Sequence, residues 1–391
     1  MLGFDFIRLG KFMNRSRLSV SLLPGKFLFF LVLLVGIPFQ TFAFTFSEKE
    51  IEQIRTLGPW PQSFVLDSSN RFSGKKEAIA FGRLLFETGD LSLNRDQGCS
   101  FCHQESNNFT DGWMKAEGME SLNRNTIGLL DVRLRHWYGW SGQSDTLWGA
   151  SIRPIVDPKE MGMTSALVKE RILESERFSK AYFAITREEA SNHEPDIVLV
   201  NVGKALAAFQ ETLNSGPTAF DFFREGLLEK NVAAIEAYPK NAKRGLRLFL
   251  GKANCLRCHG GPNFALDEFH NIALPKGEGT VDLGRESGLQ ILKTNPWTMA
   301  SSNSDEVTKG PDRTSPHETR RAFRVPSLRG LNETGPYMHD GRFETLLEAV
   351  SHYSDFDEAD LPQTGERIME PLGLTHRQID QLVAFLLTLS N

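Results

Sequence analysis

Apolar residues in this chain recur at helical rather than strand spacing, and strict apolar/polar alternation is scarce. Leu199, Val202, Leu206, Phe209 and Leu213 predict one face of a helix that opens near Pro195. Leu246, Phe249 and Leu250 predict a second, shorter helix. Near the C-terminus, Thr375-His-Arg-Gln378 has the pattern of a capping box and leads into Ile379, Leu382, Val383 and Leu386. Asn214 to about Pro239 reads as the connection between two halves. Asn295 to Arg320, rich in Ser, Thr, Pro and Asp, reads as a long exposed loop. The fold class expected is all-α.

One apolar run has a different character. Phe27 to Phe39 follows the basic residues Arg8, Lys11, Arg15, Arg17 and Lys26, and Thr41-Phe-Ala43 supplies small residues for cleavage. Residues 1–43 therefore read as an export signal, with Met1 or Met13 as the start. An uncleaved anchor is the alternative, but the run is shorter than the ~20 residues a membrane span needs. The expected location is the periplasm, with no stable membrane insertion once the signal is removed.

Composition narrows the class. With 40% hydrophobic and 24% charged residues, the 391-residue chain has the balance of a soluble globular protein of one to three domains. The net charge of −5 becomes more negative without the basic signal, which argues against nucleic acid as a partner.

The chemistry is concentrated in the cysteines. All four lie in two stretches, Cys99-Ser-Phe-Cys102-His103 and Cys255-Leu-Arg-Cys258-His259. Two thiols one helical turn apart can each bond a vinyl group of one porphyrin, with the next histidine under the iron. A redox disulfide or half a zinc site is the alternative for a single C-x-x-C pair. The histidine following each pair favours two covalently attached c-type haems.

The two stretches sit in an internal repeat. Gly82-Arg-Leu-Leu-Phe86 precedes the first and Gly245-Leu-Arg-Leu-Phe249 the second. Downstream, the segment opening at Arg124 corresponds to the one opening at Arg324, and Trp140-Ser-Gly-Gln to His339-Asp-Gly-Arg342. Two cytochrome c-like domains related by duplication are expected, residues 44–230 and 231–391. Pro154 and Tyr353 stand equally far beyond Trp140 and His339. If both face iron, one haem meets a group that cannot ligate and the other a phenol oxygen. The plainer reading is that Pro154 turns the chain and Tyr353 packs in a core.

With these motifs in place, the chain resembles the bacterial di-haem cytochrome c peroxidase and MauG superfamily. The resemblance rests on both haem stretches with Gly260-Gly-Pro262, on Pro154-Ile-Val-Asp-Pro-Lys-Glu160-Met161 and on Gly335-Pro-Tyr-Met-His-Asp-Gly-Arg342. It implies an N-terminal haem where hydrogen peroxide reacts and a C-terminal haem that exchanges electrons with a partner. His103 and His259 match the proximal ligands, Glu160 the distal acid/base and Trp140 the tryptophan between the haems. Asn125, with the backbone oxygens of Thr334 and Pro336, matches a calcium position, and His339 a place near the second haem. His136, His270 and His376 have no comparable context.

Departures from the family pattern are informative too. Peroxidases of this family that need prior reduction carry a capping histidine after the first haem stretch; here the neighbourhood reads Glu117-Gly-Met119-Glu120. The first haem is therefore expected to be open at rest. At Tyr353 those peroxidases have a methionine, whereas tyrosine resembles MauG; Met338 is the rival ligand. The family's distal glutamine is Ala150 here. The expected function is a periplasmic di-haem oxidoreductase acting on hydrogen peroxide. Its donor is a small cytochrome or copper protein, or a protein side chain. The alternative is a non-enzymatic electron-transfer cytochrome or haem sensor.

Overall fold

Two helix crossings, each opened by a glycine, organise this molecule. The computed structural model describes residues 44–276, 281–311, 319–361 and 368–391; the expected export signal, residues 1–43, lies outside them. In chain order the helices are α1 (Glu48–Arg55), α2 (Lys76–Glu87), α3 (Cys99–Cys102), α4 (Leu147–Val156), α5 (Ser165–Glu174), α6 (Glu176–Thr186) and α7 (Pro195–Gln210). They continue with α8 (Ala219–Leu228), α9 (Val232–Ala237), α10 (Lys240–Leu250), α11 (Arg285–Thr294), α12 (Leu346–Ser354) and α13 (His376–Leu386). Two two-residue strands, β1 (Phe269–His270) and β2 (Phe323–Arg324), pair antiparallel with Phe269 opposite Arg324. The expected all-α class is what the chain adopts. Among the described residues no helix is long and apolar enough to cross a membrane.

In the first crossing α2 lies against α7. A Cβ at Gly82 would fall 1.9 Å from the carbonyl oxygen of Ala205, so only glycine lets the two backbones touch. Phe86, one turn on, meets Phe209 with ring centroids 5.1 Å apart at 61°. The second crossing repeats the device with α10 and α13. A Cβ at Gly245 would lie 1.8 Å from the oxygen of Gln381, and Phe249 meets Phe385 at 5.1 Å and 60°.

Each crossing anchors a hydrophobic core. The first gathers Phe81, Leu85, Trp148, Ile152, Val168 and Leu206 from α2, α4, α5 and α7. The second gathers Phe220, Leu246, Phe249, Leu382 and Phe385 with Ile54 and Leu57 of the N-terminal region. Ile54, Leu57, Phe220 and Phe223 precede residue 231, yet they pack in the second core; α8 is part of it rather than a bare connection.

Two expectations need correction. α7 has no single buried face, because every residue from Val198 to Gln210 is buried, with α2, α4 and α5 packed around it. The described part of the Asn295–Arg320 loop is not simply exposed. Thr298 and Ser304 are buried, and Asp305 receives the ammonium of buried Lys204 at 2.6 Å. Two of its residues, Asn303 and Asp305, thus hold a buried cation, and Trp148 covers that ammonium from 5.2 Å. The capping box at Thr375 forms as its residues predict, opening α13.

Candidate functional site

α3 is a single turn, Cys99 to Cys102, and its helical rise carries the backbone N–H of His103 to the oxygen of Cys99 at 2.9 Å. The His103 Nδ1–H donates to the carbonyl of Phe109 at 2.9 Å, which leaves Nε2 as the nitrogen free to bind a metal. The second stretch repeats these two bonds, and its ring also bonds the backbone of Pro326. His259 N–H reaches Cys255 O at 2.8 Å, and Nδ1–H donates to Phe264 O at 2.9 Å. Both accepting phenylalanines hold left-handed backbone, φ 61° at Phe109 and 50° at Phe264. That conformation is costly for a bulky residue and is kept where a site needs it. Here it turns a carbonyl onto the imidazole.

Burial lowers the basicity of both imidazoles, that of His259 to about 4, which favours the neutral ring. The same desolvation pushes the thiols up, to about 12 at Cys99, Cys102 and Cys255 and about 11 at Cys258. None of the four is in a disulfide. Among the described residues no three His, Cys, Asp or Glu side chains converge as a metal-ion site.

A cavity of about 630 Å³ opens over the second stretch, lined by Cys255, Cys258, His259, Tyr353, Met338 and Trp140. The donor set, two thiols and an imidazole, fits a covalently held haem, and a cavity faces it. Tyr353 lies on α12 close enough to feel Cys255 and Cys258, and burial raises its phenol above the ordinary range. Met338, the rival ligand, lines the same cavity.

Pro154 occupies the corresponding place on α4. α4 is capped by Thr146 accepting from Gly149 N–H, and α12 by Thr345 accepting from Glu348 N–H. Pro154 and Tyr353 stand equally far beyond these caps. Ahead of each helix the bridge between Tyr138 and Ser144 matches that between Tyr337 and Phe343. Ala150, on α4 one turn before Pro154, packs against the first core.

Trp140 donates its indole N–H to Asn125 O at 2.9 Å, and its own carbonyl accepts from Arg324 N–H at 2.8 Å. Asn125 N–H in turn donates to His339 O at 2.8 Å, so Trp140, Asn125 and His339 form one linked unit beside the cavity. Thr334 and Pro336 line that cavity together with Asn125. Glu160 lies where its charge reaches Cys99, Cys102 and His103, and its Oε1 is 2.6 Å from Arg153 Nη1.

Two cavity residues, Arg135 and Arg324, were not legible as site residues. Arg135 Nε, Arg324 Nη2 and His339 Nδ1 are buried without a hydrogen-bond partner, and all three residues line the cavity. Of these only His339 was singled out in the sequence. Arg324 is fully buried, and desolvation, then Arg135, disfavour its charge. His270 on β1 also lines the cavity, although its sequence neighbours give no motif. The repeat placed Arg324 opposite Arg124, and that pairing was the one available signal for it.

The family model for di-haem cytochrome c peroxidase matches residues 76–229. The methylamine utilization protein MauG of Methylorubrum extorquens is 33% identical over 345 residues, 88% of this chain and 86% of that protein. Cytochrome-c peroxidase IdrP1 of Denitromonas iodatirespirans is 29% identical, over 85% of this chain and 86% of that one. Among solved structures, the diheme peroxidase BthA of Burkholderia thailandensis shares the fold, with a TM-score of 0.65 at 20% identity. That match covers 85% of this chain and 94% of BthA. With such identity to MauG over most of both proteins, and with both haem-attachment stretches built alike, the chain belongs to the di-haem cytochrome c peroxidase family.

Proposed function

We propose that this di-haem c-type oxidoreductase reduces hydrogen peroxide at the His103 haem and exchanges electrons with a donor through the His259 haem. The observation that carries this division of labour is the contrast of Pro154 with Tyr353 at matching positions of α4 and α12. Proline has no group that can bind iron, so peroxide has access on that side; a phenol can close the other. The family relationship makes the protein an enzyme of peroxidase type with two haems.

Each haem, once attached, supplies an iron centre able to hold peroxide or to store and pass electrons. The residues present do the rest. Cys99 and Cys102 would hold one macrocycle and Cys255 and Cys258 the other, through thioether bonds. His103 and His259, fixed by Phe109 O and Phe264 O, would present Nε2 to the irons. Arg135, Arg324 and His339 have donor nitrogens to offer the carboxylates of the second macrocycle. Glu160 would move the proton between the two peroxide oxygens. Trp140, tied to Asn125, would lie on the route between the haems. The side-chain oxygen of Asn125, with Thr334 O and Pro336 O, would serve a calcium ion; such a set of neutral oxygens suits that hard cation.

The division into peroxidatic and electron-transfer domains at about residue 230, with Ile54, Leu57 and α8 packing into the second core across that boundary, and their origin by duplication, belong to this reading. The matched crossings at Gly82 and Gly245 support them. The donor is a small cytochrome or copper protein, or a protein side chain, and Tyr353 favours the side chain. The setting is the periplasm. Peroxide added to the oxidised protein, with no prior reduction, tests the reading. A prompt change in the spectrum is expected, and an unchanged spectrum would sink the open-haem assignment.

A further inference from the structure

The loop after α4 folds back on itself. Glu160 N–H bonds Asp157 O at 3.0 Å, Met161 N–H bonds Pro154 O at 3.1 Å, and Met163 N–H bonds Ile155 O at 2.9 Å. This return brings the Glu160 carboxylate against the last turn of α4. Arg153 Nη1 lies 2.6 Å from Glu160 Oε1 and 3.3 Å from Asp157 Oδ2. Glu160 is the more protected of the pair, its side chain 19% exposed against 36% for Arg153.

The backbone beneath Glu160 is held from the other side. Met119 N–H donates to Glu160 O and Glu120 N–H to Lys159 O, each at 3.0 Å. Gly118 makes this approach possible, since a Cβ there would lie 2.4 Å from Lys159 O and 2.7 Å from Glu160 Cα. The Glu117–Ser121 segment, which lacks the capping histidine, is thus a strap across the acid/base loop. Lys159 pairs with Glu120 at 3.5 Å, Asp111 and Glu117 act with Glu160 on Cys102, and Arg153 is the cation on the carboxylate itself.

We propose that Arg153 is a positioning residue for peroxide reduction. By holding Oε1 in a close ion pair it presents the other oxygen, Oε2, as the atom that shuttles the peroxide proton. The strap fixes the backbone so that this aim is kept. The inference rests on Glu160 being the acid/base. Asp157 gives Arg153 a second partner four residues away on the helix end, which is the purely structural role it could have instead.

A double-mutant cycle separates the two. Arg153→Gln should slow the reaction with peroxide by about 10- to 100-fold, the cost of an angstrom-scale misplacement. Arg153→Lys, which keeps a cationic donor, should recover much of that loss. In a Glu160→Gln background, Arg153→Gln should cost nothing further, because the group it aims is gone. Independently of turnover, the carboxylate infrared band assigned by Glu160→Gln should shift in Arg153→Gln. A normal rate in Arg153→Gln beside a slow Glu160→Gln overturns the inference alone, as does an equal loss from Arg153→Gln in both backgrounds. A normal rate in Glu160→Gln overturns the acid–base reading and the inference with it.

Discussion

Phe109 and Phe264 each spend backbone strain to aim one carbonyl at a histidine, and neither has a sequence signature. At residue scale the site is full of such arrangements, where the acting atom belongs to the main chain. Tyr353 is different, since its own oxygen is the proposed ligand. Tyr353→Phe should alter the absorption and electron paramagnetic spectra of the His259 haem, and unaltered spectra would transfer the role to Met338. A second residue-scale consequence concerns Glu211, whose Oε1 is buried without a partner while Oε2 accepts from Ser73 at 2.7 Å. Burial raises its carboxyl from 4.5 to about 7. The folded protein thus holds this proton more tightly than the unfolded chain does. The stability it contributes is full at low pH and is lost as pH rises from 4.5 through about 7. Glu211→Gln should flatten that part of the stability–pH curve in urea titrations; an unchanged slope would refute it.

At the scale of elements, the two crossings are the points of greatest sensitivity. Gly82→Ala and Gly245→Ala force a methyl group onto a carbonyl oxygen, so the helices must separate. Overpacking of this kind costs about 1–3 kcal/mol, sometimes more, and should appear as a lower Tm in either variant. Both glycines and their following phenylalanines were visible in the repeat. What they do was not, because the partners Ala205 and Gln381 lie on helices far away in the chain. α7 shows the converse. Its apolar spacing marked one face, yet the polar Asn201, Lys204 and Gln210 are buried as well. Each is satisfied inside: Asn201 by the Tyr182 hydroxyl, Lys204 by Asp305 and Gln210 by Ser151. Hydropathy registers side-chain type and is blind to a partner supplied from another segment.

At the scale of the whole molecule, segments far apart in the chain meet at the cavity over the second stretch. Arg135 and Trp140 come from before α4, Arg324 and Tyr353 from β2 and α12, and all four line it. Arg324→Met removes a buried positive charge beside that haem, so the oxidised form is favoured and the midpoint potential should fall. A redox titration of the His259 haem checks the direction, and an unchanged potential would place the guanidinium too far away to matter. The chain's own order pointed to the covalent chemistry, because two thiols and a histidine within one turn are local in sequence and need no distant partner. It also settled the all-α class and exposed the contrast of Pro154 with Tyr353. Folding alone decided which carbonyl fixes each imidazole, which arginine meets Glu160 across a turn, and which buried cations face the second cavity. Those relations depend on distances between remote segments, and in a low-dielectric interior the distances set the energies.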